Sequence, residues 1–122
     1  MTLAGARAKQ TDIMGSANLL EVTDANFQTA VLGSKTPVLV DFWAAWCALC
    51  RAIVLHVEAL ATEYDGKLLV GKCDIDSNQG IPQDYDIRSI PTLLVFKDGK
   101  VVGQLVGAVP RARIEDLVKK AL

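Results

Sequence analysis

Two periodicities divide the apolar residues along the chain. Val38-Leu39-Val40-Asp41-Phe42-Trp43, opened by Pro37, is a nearly continuous run of β-formers and predicts a central strand covered on both faces. From about Cys47 to Tyr64 the spacing becomes helical, with Ile53, Val57, Leu60 and Ala61 on one face and Asp65-Gly66 as the stop. Lys67 to Asp74 predicts a further strand. Upstream, Leu19-Leu20-Glu21-Val22 is a short strand, followed by a helix capped by Thr23 or Asp24, carrying Phe27, Ala30 and Val31 on one face and ending at Gly33. Downstream, Asn78 to Asp84 is a turn with a short helix around Pro82. Thr92–Phe96 and Val101–Val106 flank Lys97-Asp98-Gly99-Lys100, the mark of a hairpin. Pro110 opens a last helix whose apolar stripe, Ile114, Leu117, Val118 and Ala121, needs a sheet face to cover.

This order predicts one α/β sandwich. Helical crossovers make the early strands parallel neighbours, and the hairpin adds an antiparallel pair. Residues 1–17 have no sustained period and predict a mobile leader; residues 18–122 form the domain, and a chain of 122 residues leaves little room for a second. With 51% hydrophobic and 22% charged residues, disorder and coiled coil are excluded. Thirteen Lys and Arg against fourteen Asp and Glu provide no basic footprint for nucleic acid or for an acidic membrane surface. No apolar run approaches the ~20 residues of a spanning helix, and the N-terminus has no continuous apolar signal region, so the expectation is a soluble, unexported, cytoplasmic monomer.

Three cysteines are too few and too odd in number for a secreted disulfide framework, so Cys47-Ala48-Leu49-Cys50 points to redox or metal chemistry. The motif falls where strand gives way to helix. A cysteine in a first helical turn faces unsatisfied N–H groups and the positive end of the dipole, which predicts an acidic, nucleophilic Cys47. Cys50 follows by about one turn, within reach to release a partner held as a mixed disulfide. For zinc the other candidate ligands are Cys73 and His56. His56 lies about 600° round the helix from Cys50, off the cysteine face, and Cys73 reads as a small buried hydrophobe, which disfavours the metal. Asp41 inside its apolar strand is costly if charged and unpaired. It is read either as a buried carboxyl exchanging the Cys50 proton, with Lys72 on the neighbouring strand as charge partner, or as a residue at a solvated edge.

The stretch Val38 to Cys50, together with Ile87-Arg88-Ser89-Ile90-Pro91-Thr92-Leu93 and the Lys97–Lys100 turn, resembles the thioredoxin family, over about Leu19 to Leu122. The resemblance implies a thioredoxin fold, a central mixed sheet of four or five strands flanked by helices. It implies that Cys47 attacks, Cys50 resolves, and Asp41 with Lys72 assists proton transfer. It also implies a cis Ile90-Pro91 bond and a substrate surface of Trp46, Ala48, Leu49, Ile90, Pro91 and Gly107, with Trp43 packed beside the site. Implied partners are disulfide-containing proteins and an NADPH-dependent thioredoxin reductase, with no cofactor or metal held by the chain itself. For Pro91 the residue-level alternative is a plain strand-opening proline, and for Gly107 an ordinary turn glycine.

The sequence departs from the family where Ala48-Leu49 replaces the usual Gly-Pro. Leu49 restores an amide N–H, expected to point at the Cys47 sulfur and make the couple less reducing than is usual in the family. Leu55 replaces a helix-kinking proline, and Gln79 and Gln83 replace two more. The activity so implied is reduction of protein disulfides. The alternatives are a more oxidising oxidase or isomerase, and a redox-inactive binding or scaffold module.

Overall fold

The structure, a computed structural model, describes residues 19–122; the predicted leader 1–17 lies outside the described residues. The elements are β1 (Leu19–Glu21), a π-helical segment (Gln28–Leu32), β2 (Val38–Trp43), α1 (Ala48–Glu63), β3 (Leu69–Asp74), α2 (Gly80–Asp84), β4 (Thr92–Lys97), β5 (Lys100–Val106) and α3 (Arg111–Ala121). The strands form one five-stranded sheet in the order β1-β3-β2-β4-β5. β1 and β2 both run parallel to β3, while β2 with β4 and β4 with β5 are antiparallel.

Period-two alternation along β2 splits the core in two. Leu39 points to the side where Ile53, Val57 and Leu60 of α1 and Ile114, Val118 and Ala121 of α3 pack. Val38, Val40 and Phe42 point to the other, among Phe27, Val31, Cys73, Ile81 and Phe96. Asp41, two residues after Leu39, therefore faces the α1 side and is wholly buried, which rules out a solvated edge. No helix among the described residues is long and apolar enough to cross a membrane.

The hairpin forms as read: Asp98 (φ 55°) and Gly99 (φ 80°) are both left-handed, the backbone that a two-residue turn between right-twisted strands demands. The first helical region differs from expectation. Thr23 and Asn26 cap each other, the Thr23 amide donating to Asn26 Oδ1 and the Asn26 amide to Thr23 Oγ1, and the following segment is π-helical. Asp24 caps a different helix, accepting from the amides of Gly80 (3.1 Å) and Ile81 (2.9 Å) at the start of α2. The predicted strand from Lys67 begins instead at Leu69, because the Lys67 and Leu68 amides close the end of α1 on the Tyr64 carbonyl.

Candidate functional site

Cys47 is the N-cap of α1 and Cys50 lies in its first turn; the two are joined as a disulfide with Cα atoms 5.3 Å apart. β2 ends at Trp43 and the chain turns through Ala44–Trp46, with the Cys47 amide donating back to the Ala44 carbonyl at 3.1 Å, so the strand delivers the pair to the helix end. The Cys50 amide donates to Cys47 Sγ at 3.1 Å, the bond an N-cap side chain makes. This corrects the expected donor: the Leu49 amide does not make the contact, because Cys50 is the N3 residue of the helix. With it goes the direct contact on which a less reducing couple was argued.

The first turn of α1 carries no acidic side chain, so no carboxylate there competes for the free amides. Cys47 keeps 7% of its surface and Cys50 2%, which makes Cys47 the sulfur that an outside partner meets. Around the pair, Ala44 is buried, and Trp43, Ile75 and Ile90 pack against it half-buried. The Ile90-Pro91 peptide is cis, as the resemblance implied, and Pro91 O accepts from the Gly107 amide at 2.8 Å. Pro91 and Gly107 are thus brought together, and Ile90 is placed against the sulfurs. Ala48 and Leu49 are exposed beside them. Trp46 is 67% exposed, yet its indole Nε1 donates to Asp76 Oδ2 at 3.0 Å, which holds the ring on the surface next to the pair.

Beneath the disulfide sits Asp41. Neither carboxylate oxygen has a hydrogen-bond partner among the described residues. Burial pushes its pKa up to about 7, against the opposing pull of the Lys72 charge. Asp41 and Lys72 are register partners on β2 and β3, and the Lys72 charge acts on the carboxyl as expected of a charge partner, without a hydrogen bond to it among the described residues. Lys72 Nζ lies instead 4.5 Å from the centre of the Trp43 ring, a cation–π contact. A cavity of about 400 Å³ is walled by Asp41, Trp43, Ala45, Cys50, Arg51, Val54, Glu58 and Lys72. It brings together Cys50, the buried carboxyl and the three charged side chains Arg51, Glu58 and Lys72.

The other cysteine and the histidine stand apart from this arrangement. Cys73 is fully buried in the cluster on the opposite sheet face, where burial pushes its thiol up to about 12. His56 is half-buried on α1. Sequence reasoning missed Asp76, Arg51 and Glu58. Arg51 Nη1 donates to the Ala45 carbonyl at 2.8 Å and so ties α1 to the turn before it. The available signal was helical spacing: Cys50, Val54 and Glu58 recur every four residues and share one face.

Comparison with known proteins agrees with this geometry. The thioredoxin family model matches residues 18–120. The chain is 52% identical over 99 residues to thioredoxin C-2 of Corynebacterium nephridii, covering 81% of this chain and 92% of the relative. It is 51% identical over 94 residues to thioredoxin of Chlorobaculum thiosulfatiphilum, covering 77% and 87%. Thioredoxin 1 of a Nostoc species is 46% identical over 102 residues, covering 84% and 95%.

Proposed function

The chain belongs to the thioredoxin family, and on that premise we propose how its groups divide the reaction. The fold is the thioredoxin fold, and the protein is a thiol-disulfide oxidoreductase that reduces protein disulfides through Cys47 and Cys50 rather than a redox-inactive scaffold. The observation that carries the mechanism is the Cys47–Cys50 disulfide at the start of α1 with an unpartnered carboxyl buried beneath it.

In the reduced protein, Cys47 is held as thiolate by the Cys50 amide and by the free amides of the helix end. It attacks one sulfur of a substrate disulfide. That S–S bond breaks, its electron pair leaves on the other substrate sulfur, which takes up a proton, and a mixed disulfide forms. Cys50 then gives its thiol proton to the Asp41 carboxylate and attacks Cys47 Sγ. The Cys47–substrate bond breaks, the Cys47–Cys50 bond forms, and the second substrate sulfur departs with the electron pair and is protonated. A carboxyl with pKa about 7 takes and returns a proton with nearly equal ease at neutral pH. Lys72, released from Trp43, stabilises the carboxylate when Asp41 is charged.

Substrate chain lies across Trp46, Ala48, Leu49, Ile90, Pro91 and Gly107, where the exposed side chains of Trp46, Ala48 and Leu49 offer apolar contact and the backbone at Ile90, before the buried Pro91, offers main-chain pairing. Electrons return to the disulfide from an NADPH-dependent thioredoxin reductase, and the protein works as a monomer in the cytoplasm. The test is reduction of insulin by the dithiothreitol-primed protein, with intact-mass analysis of Cys50→Ser and Cys47→Ser. Cys50→Ser accumulates a covalent substrate adduct and Cys47→Ser does not. Equal trapping by both, or by neither, refutes the division of roles.

A further inference from the structure

The proton that Asp41 takes from Cys50 has to leave, and the carboxyl that holds it is closed off. Asp41 has no exposed surface, and both its oxygens lack a partner among the described residues. One wall of the cavity described above is Asp41 itself and another is Cys50, so this space is the route from the reacting groups outward. At about 400 Å³ it far exceeds what a single water needs. The charged groups that face it are Asp41 from β2, Arg51 and Glu58 from α1, and Lys72 from β3. α3 sends its Arg111 and Glu115 to Glu63 and Tyr64 further along α1, not into this space.

Of the groups on the outer wall, Arg51 is held by the Ala45 carbonyl and Lys72 lies over Trp43. Both side chains carry donors only and offer no acceptor atom. Glu58 is half-buried, its carboxylate forms no hydrogen bond or ion pair among the described residues, and it follows Cys50 and Val54 down the same helical face. It is the one carboxylate besides Asp41 on the wall, and unlike Asp41 it keeps part of its surface in solvent.

We propose that Glu58 is the outer station of the proton path, a positioning residue that carries the proton between Asp41 and solvent through the cavity beside Cys50. The proposal rests on the role given to Asp41 above. The proton balance is simple. Asp41, protonated by Cys50, loses the proton to solvent in the cavity, Glu58 takes it up and releases it to bulk, and both carboxylates return to the ionised form. When the disulfide is reduced, the same steps run in reverse. No electrons pass through this path.

The test is the rate of mixed-disulfide resolution, followed in stopped flow with a fluorescent disulfide substrate, in weak and in concentrated imidazole buffer near neutral pH. Glu58→Gln is expected to slow resolution about 10-fold in weak buffer. Added imidazole, which supplies the missing proton carrier, restores it, and Glu58→Asp stays close to the parent. A Glu58→Gln rate equal to the parent in weak buffer overturns the proposal. So does a slowed rate that imidazole leaves unchanged, since that is the mark of a structural effect. Asp41→Asn, measured alongside, separates the two layers. If it resolves substrate as fast as the parent, the role of Asp41 fails and Glu58 fails with it; if only Glu58→Gln is without effect, Asp41 stands alone.

Discussion

Replacing Asp41 by Asn removes a charge the fold can hold only at a cost, and the cost is set by pH. In the unfolded chain this carboxyl titrates near its ordinary 3.8, whereas burial in the fold raises it to about 7. Between those values the folded protein keeps a proton that the unfolded chain has released, so stability falls as pH rises through the window. Below the lower value both states are protonated and the full stability is present; above the upper one the loss is complete. From 3.8 to about 7 is about 3 pH units, at ~1.36 kcal/mol each, and the ionised carboxylate therefore destabilises the fold by about 4 kcal/mol. Asn has the size and the neutrality of the protonated acid. The variant should match the parent near the acid end and exceed it by about 4 kcal/mol at mildly alkaline pH, a rise of about 1 M in guanidinium midpoint at ~4 kcal/mol per molar. The assay is guanidinium unfolding of both oxidised proteins across this range. Cys73 and Tyr64, raised to about 12, titrate above the window and do not interfere. A difference between variant and parent that stays constant with pH, or one that grows towards acid, refutes the reasoning.

Two further substitutions test how the frame is held. Asp24→Ala removes the carboxylate that accepts from the Gly80 and Ile81 amides and should cost about 0.5–2 kcal/mol in urea unfolding, with Asp24→Asn recovering part of it; an unchanged midpoint would show that the cap contributes nothing. Ile114→Ala opens a cavity where α3 meets the sheet and should cost about 2–5 kcal/mol, while insulin reduction at low temperature is retained, and a loss of activity without loss of stability would contradict a purely packing role.

The elements whose evidence is local were legible in the sequence. β2 announced itself by continuous β-formers, α1 by its 3.6 period and α3 by its stripe, of which Ile114, Val118 and Ala121 are buried and Leu117 is half-buried against the same core. The Asp98-Gly99 turn was legible because so few residues accept left-handed backbone. What escaped depends on residues far apart in the chain. Asp24 looked like a cap for the helix just after it, but α2, more than fifty residues on, presents free amides in the fold. The Asp41–Lys72 pair was read correctly as facing residues, and the register confirms it. The Lys72 charge does pull on the carboxyl, but where the ammonium rests was not legible, because the Trp43 ring that takes it competes only in three dimensions. Asp76 was invisible for the same reason: nothing near it in sequence says that it receives the Trp46 indole.

The position of the disulfide follows from a single substitution of role at a helix end. A helix start usually hands its unpaired amides to Ser, Thr, Asp or Asn, and its positive dipole end to an acidic first turn. α1 does neither: its cap is a sulfur and its first turn has no acid. The stabilisation an oxygen cap would receive is therefore available to the Cys47 sulfur, whose contact with the Cys50 amide is present in the disulfide form. Asp41 is placed on the opposite principle, in a site that disfavours its charge. One site favours an anion and the adjoining one resists it, which fits the proposed division between an attacking and a resolving thiol. On the proposed mechanism, helix end and buried acid together order the two sulfurs. On the proposed roles, Cys47→Ser removes the first attack and leaves no adduct to resolve, whereas Asp41→Asn leaves the first attack intact and slows only the release of substrate.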